Sequence, residues 1–127
     1  MPLAVPDRIC PRWPPTPNCV VSTAVDDPAH FIAPIAYTGD RQAAQTDLLK
    51  ILSVVPRTTV WHQGDGRIQA ESRSRLLGFI DDVEFFWPAD RPVIEMRSAS
   101  RLGESDLGVN RRRLEQIRLA FADYRQS

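Results

Sequence analysis

Lysine is all but missing from this chain of 127 residues: Lys50 is the only one, so arginine carries nearly all of the positive charge. Basic and acidic residues balance at 16 each, which removes the overall field that draws a protein to nucleic acid or to an anionic membrane surface. Any cationic patch has to be local. Histidine occurs only at His30 and His62, and no nucleophile sits in a Gly-x-Ser-x-Gly elbow, so a Ser-His-acid or Cys-His site has little support. Cysteine is equally scarce. Cys10 and Cys19, with Asp27 and His30, lack the spacing of a zinc finger, and a disulfide or two free thiols is a simpler expectation than a metal site. No glycine-rich phosphate loop occurs, and no motif implies a cofactor. No apolar run approaches the ~18–20 residues that span a bilayer, and "MPLAVPDRIC" lacks the charged start and apolar stretch of a signal peptide. The chain is therefore expected to be soluble and cytoplasmic, with its cysteines as thiols.

Proline is what the sequence has in excess. Six of the first 17 residues are proline, too many for a helix or an internal strand, so residues 1–17 are expected to form an extended arm. Trp13 in that arm is expected to pack onto the domain. From Asp40 the pattern turns helical, with Ala44, Leu48, Ile51, Leu52 and Val55 on one face and Pro56 as the stop. "TTVWHQGDGRIQAES" predicts two strands around a Gly-Asp-Gly turn. "GFIDDVEFFWP" and "PVIEMRSAS" are two more, and a second helix follows from about Leu107 to Tyr124.

Helix, four strands, helix, with short links between the strands, predicts an α+β two-layer sandwich over residues 18–127. The sheet is an antiparallel meander of about four strands with both helices on one face. The period of two then sorts the strand residues. Ile68, Ala70, Ser72, Val83, Phe85, Ile94 and Met96 face the helices, and Gln69, Glu71, Arg73, Asp82, Glu84, Glu95 and Arg97 form an open charged face. That face is a candidate binding site, or else a ladder of cross-strand ion pairs facing water.

The second helix opens with Arg111, Arg112 and Arg113 in succession, where the helix dipole favours acids. Asp106 as N-cap would put them in the second turn, past most of that penalty. At 100° per residue, Leu114, Ile117, Phe121 and Tyr124 form an apolar stripe that also carries Asn110. Arg112 points away from it, while Arg111 can meet Glu115 at i+4. Asn110 on the stripe needs hydrogen-bond partners. With Arg113, Arg97, Arg101 and Asp106 it is expected to form one polar network, in which Glu104 would also help to neutralise the arginines.

"PNCV" at 17–20, "AES" at 70–72, "GFIDDVEF" at 78–85 and "RSASRLGESDLGVNRRRLEQIR" at 97–118 resemble the motifs of DUF1499, a domain-of-unknown-function family. The resemblance spans residues 17–121. It implies a bacterial protein with plastid relatives, some preceded by membrane segments, and no established activity. The motif positions it carries onto this chain are Asn18, Cys19, His30, Pro34, Glu71, Asp81, Asp82, Glu84, Arg97, Ser98, Ser100, Arg101, Asp106, Asn110 and Arg113.

Two functions remain open on the sequence. One is a non-catalytic binding domain for a small anionic ligand or a protein segment, with Glu71, Asp82, Glu84, Arg97, Arg101, Asp106, Asn110 and Arg113 as candidate contacts. The other is a hydrolase-like enzyme using paired carboxylates of the open face, where close acids can divide the acid and base roles. Nucleic acid and membrane insertion are not expected.

Overall fold

The computed structural model of the chain describes residues 19–23, 26, 28–73, 78–101 and 108–126. The arm at 1–17 with Cys10 and Trp13, and likewise Asn18, Asp27, Glu104 and Asp106, lie outside the described residues.

Asp40 starts the first helix, α1 (Arg41–Ser53), by accepting a hydrogen bond from the Ala43 N–H at 2.9 Å, which satisfies one of the donors that a helix start leaves open. Its buried face is Ala44, Leu48, Ile51 and Leu52. The hairpin of β3 (Thr58–Gly64) and β4 (Arg67–Arg73) turns at Asp65 and Gly66. Both have positive φ, 56° and 73°, as a two-residue hairpin turn of the type that matches strand twist requires. The meander continues through β5 (Ile80–Phe86) and β6 (Val93–Ser100), all pairs antiparallel. The second helix, α2, is Val109–Gln126.

Two short strands extend the expected four to six. β1 (Cys19–Val21) and β2 (Ile35–Ala36) both pair antiparallel with β6, one at Arg97 to Ala99 and the other at Val93 and Ile94. Since β5 occupies the other edge of β6, the two short strands share its remaining edge. Strands of three and two residues are too short to show a period, which is why the sequence pattern does not announce them.

The expected inward set is the core: Ile68, Ala70, Ser72, Val83, Phe85, Ile94 and Met96 are none of them more than 3% exposed. The apolar members meet Ala44, Leu48 and Leu52 of α1 and Leu114, Ile117 and Phe121 of α2. Burial of each larger side chain contributes about 1.5–3 kcal/mol. Tyr124 departs from expectation. It is 41% exposed, and its hydroxyl accepts a hydrogen bond from Lys50 at 3.1 Å.

Cys19 is disulfide-bonded, which corrects the expectation of two thiols; the only other cysteine in the chain is Cys10. That expectation rested on compartment, whereas a disulfide depends on whether the fold brings two Cα atoms within about 4.4–6.8 Å.

Segment 29–38 lies along α2 and is held there by three arginines seven residues apart. Arg111 donates to the Phe31 and Ala29 carbonyls (2.7 and 3.3 Å), Arg118 to those of Pro34 and Ala33 (2.7 and 2.5 Å), and Arg125 to that of Thr38 (2.6 Å). The expected Arg111–Glu115 pair is therefore replaced: Glu115 takes Arg118 Nε at 2.9 Å instead. A guanidinium fork can serve two adjacent carbonyls at once, which a lysine point charge does less well. Arg118→Met should cost about 1 kcal/mol and speed amide hydrogen exchange at Ile32 and Tyr37 more than at the sheet centre. Unchanged protection of those two amides would mean the arginines do not hold the segment.

Candidate functional site

The polar face of the sheet is built in rows by strand register. Gln69, Glu84 and Arg97 stand side by side on β4, β5 and β6. Gln69 Nε2 donates to Glu84 Oε2 at 2.6 Å, and Arg97 Nε and Nη2 donate to Glu84 Oε1 at 2.9 and 2.6 Å. In the next row Glu71 pairs with Asp82, but β6 offers only Ala99 there. Arg101, just past the end of β6, reaches back to fill the gap. Its Nε and Nη2 fork both oxygens of Asp82 at 3.0 and 2.8 Å, and Nη2 also meets Glu71 at 2.8 Å. Hydrogen bonding to Asp82 first, and then to Glu71, pushes the Arg101 guanidinium above its ordinary pKa. Glu95 accepts from Ser22 Oγ at 2.5 Å and from Arg91 Nη2 at 2.9 Å.

This face is less open than the alternation predicts. Glu84 and Glu95 are 9% and 4% exposed, and the side chains of Arg97 and Glu84 are 12% and 11% exposed. Period alone places a residue on a face; it does not say what else covers that face. At β3 the register shifts between Val60 and His62, so that His62 pairs with Gln69. A bulge of this kind re-aims the side chains beyond it, and Trp61, at the bulge, is left 57% exposed.

The other face carries a second polar cluster, between β6 and α2. Ser98 Oγ donates to Asn110 Oδ1 at 2.5 Å, and Asn110 Nδ2 donates to Ser100 Oγ at 3.0 Å. Arg113 Nη1 donates to Asn110 Oδ1 and Ser98 Oγ at 2.9 and 3.1 Å, while Nη2 lies 2.8 Å from Asp81 Oδ2. Ser98 and Asn110 are wholly buried. The single network expected of Arg97, Arg101, Asn110 and Arg113 is thus two, one on each side of the sheet. Arg97 and Arg101 have the parity of the polar face, and the residues between them, Ser98 and Ser100, are the ones that meet α2.

Of the eight candidates, Glu71, Asp82, Glu84, Arg97 and Arg101 come together on the polar face, Asn110 and Arg113 on the helix face, and Asp106 lies outside the described residues. Asp81, Ser98 and Ser100 complete the second cluster; their even spacing with Val83 and Met96 was the signal that could have placed them there. Among the described residues no three His, Cys, Asp or Glu side chains gather as metal ligands.

The model of the family described as a protein of unknown function, DUF1499, matches residues 11–121. The chain belongs to that family. No curated protein and no solved structure matches it. In this DUF1499 domain the long motif at 97–118 is thus the segment that runs from β6 to α2 and supplies both faces: Arg97 and Arg101 to one, Ser98, Ser100, Asn110 and Arg113 to the other.

Asn110→Leu keeps roughly the volume but strips Ser98, Ser100 and Arg113 of a partner, so chemical denaturation should show a loss of about 1–3 kcal/mol. Arg101→Gln, on a pair 45% exposed at the arginine, should cost under about 1 kcal/mol. Equal losses would deny that the buried cluster is the one that matters to stability.

Proposed function

We propose that the domain binds a small anionic ligand without transforming it. The observation that carries this reading is that each acid of the polar face already accepts from an arginine: Glu71 and Asp82 from Arg101, Glu84 from Arg97, Glu95 from Arg91. Carboxylates held in this way are not a pair free to divide acid and base roles, which supports binding over a carboxylate hydrolase.

No helix among the described residues is long and apolar enough to cross a membrane. The disulfide at Cys19 favours an oxidising compartment over the cytoplasm.

A thermal-shift survey of small anions against their neutral counterparts tests the reading, since a ligand at 100 times its Kd stabilises by about 2.7 kcal/mol. Saturable stabilisation by anions, with the anion recovered unchanged, is the expected result. Hydrolysis of a supplied ester or amide that Glu84→Gln abolishes would overturn it.

A further inference from the structure

We infer that the cleft where the α1–β3 turn, the end of β4 and the start of α2 meet is a binding site for a small phosphate monoester. This rests on the anion-binding reading above and gives it a place and a ligand class. The cleft has a volume of about 250 Å³ and is lined by Arg57, Arg73, Arg112 and Arg113, with no acidic residue among its described lining. In a chain whose charges cancel overall, such a concentration of one sign is local and marked.

The other arginines of the described structure are largely spent. Arg91, Arg97 and Arg101 answer the acids of the polar face, and Arg111, Arg118 and Arg125 hold backbone carbonyls. A larger recess, about 590 Å³ beside α2, contains Arg118 and Arg125, and both are among those already engaged. In the cleft, by contrast, Arg113 is met by Asp81, but Arg57 and Arg73 are exposed and no carboxylate among the described residues pairs with either.

Arg57 is also held in place. Its φ of 56° lies in the left-handed region that residues with a side chain seldom adopt. The Arg73 N–H to Arg57 O bond at 3.0 Å fixes it there, and Arg57 Nε returns a bond to Arg73 O at 3.3 Å. The two arginines are thereby tied side by side across the hairpin, with the Nη groups of Arg57 left for a ligand. A phosphoryl dianion offers three terminal oxygens and can take more than one guanidinium fork, whereas one fork fills a carboxylate. The cleft is also roomier than a bare oxyanion needs, and Val55, Pro56 and Val109 line it. They suit a small organic group on the fourth oxygen.

The test is calorimetric titration of the full chain at low salt with glycerol 3-phosphate, inorganic phosphate and glycerol. The ester should bind, more tightly than inorganic phosphate, and glycerol should not. Arg57→Gln and Arg73→Gln should each weaken ester binding at least about tenfold with the thermal midpoint of the unliganded protein unchanged, and Arg101→Gln should leave binding as it was. Equal or tighter binding of inorganic phosphate overturns the ester assignment. Binding that survives both cleft variants but is lost in Arg101→Gln overturns the cleft and leaves the anion-binding reading standing. Binding of neither phosphate, with another anion bound elsewhere, does the same; no anion bound at all overturns both.

Discussion

The hydrogen bond from Ser98 to Asn110, both wholly buried, fixes where α2 can lie on the sheet. Leu114, Ile117 and Phe121 would be nearly as well buried if the helix slid along β6, because apolar contact is not directional. The amide allows no such freedom. Each buried polar atom left without its partner costs about 1–3 kcal/mol, and a slide would orphan atoms on Asn110, Ser98 and Ser100 together. Once Asn110 is seated, Arg113 one turn on must meet Asp81, and the side of α2 carrying Arg111, Arg118 and Arg125 must face segment 29–38. Placement of β2, which is part of that segment, depends on the same seat.

The three successive arginines at the start of α2 have three fates because each is turned 100° from the last. Arg111 grips backbone carbonyls on one flank, Arg112 stands exposed, and Arg113 enters the buried cluster on the other flank. Nothing here needs a single anion to gather all three. Four of the described arginines work as forks that a lysine would replace poorly: Arg111 and Arg118 on two carbonyls each, Arg101 on both oxygens of Asp82, and Arg113 on a carboxylate and a hydroxyl together.

The alternation in β4, β5 and β6 made the core legible, since a period of two leaves only one assignment once the apolar residues are placed inside. The Gly-Asp-Gly turn and the Asp40 cap were legible for the same kind of reason: each is a local solution with few alternatives. What the pattern did not carry was everything set by distant chain. β1 and β2 exist only because β6 has a free edge, and Glu95 is buried through Ser22, 73 residues away. Arg97 and Arg101 stand apart from Asn110 for another reason: nearness in sequence is not nearness in space along a strand, where adjacent residues point to opposite faces.

Charge balance then separates the two faces in kind. On the polar face, Glu84 and Arg97 are nearly dry, and the desolvation of such a pair roughly offsets its attraction; what the pairing achieves is register, since either partner alone would be a buried unpaired charge. A ligand there would have to displace bonds already made. At the end of the sheet the situation is reversed. The α1–β3 turn and the last residue of β4 are places where backbone leaves regular structure, and the Arg57 and Arg73 guanidinium groups there meet no carboxylate among the described residues. Arg112 and Arg113 line the same cleft from the first turns of α2, Arg113 already meeting Asp81. An anion arriving there breaks no existing ion pair of Arg57 or Arg73, whereas one arriving at Arg97 must first compete with Glu84.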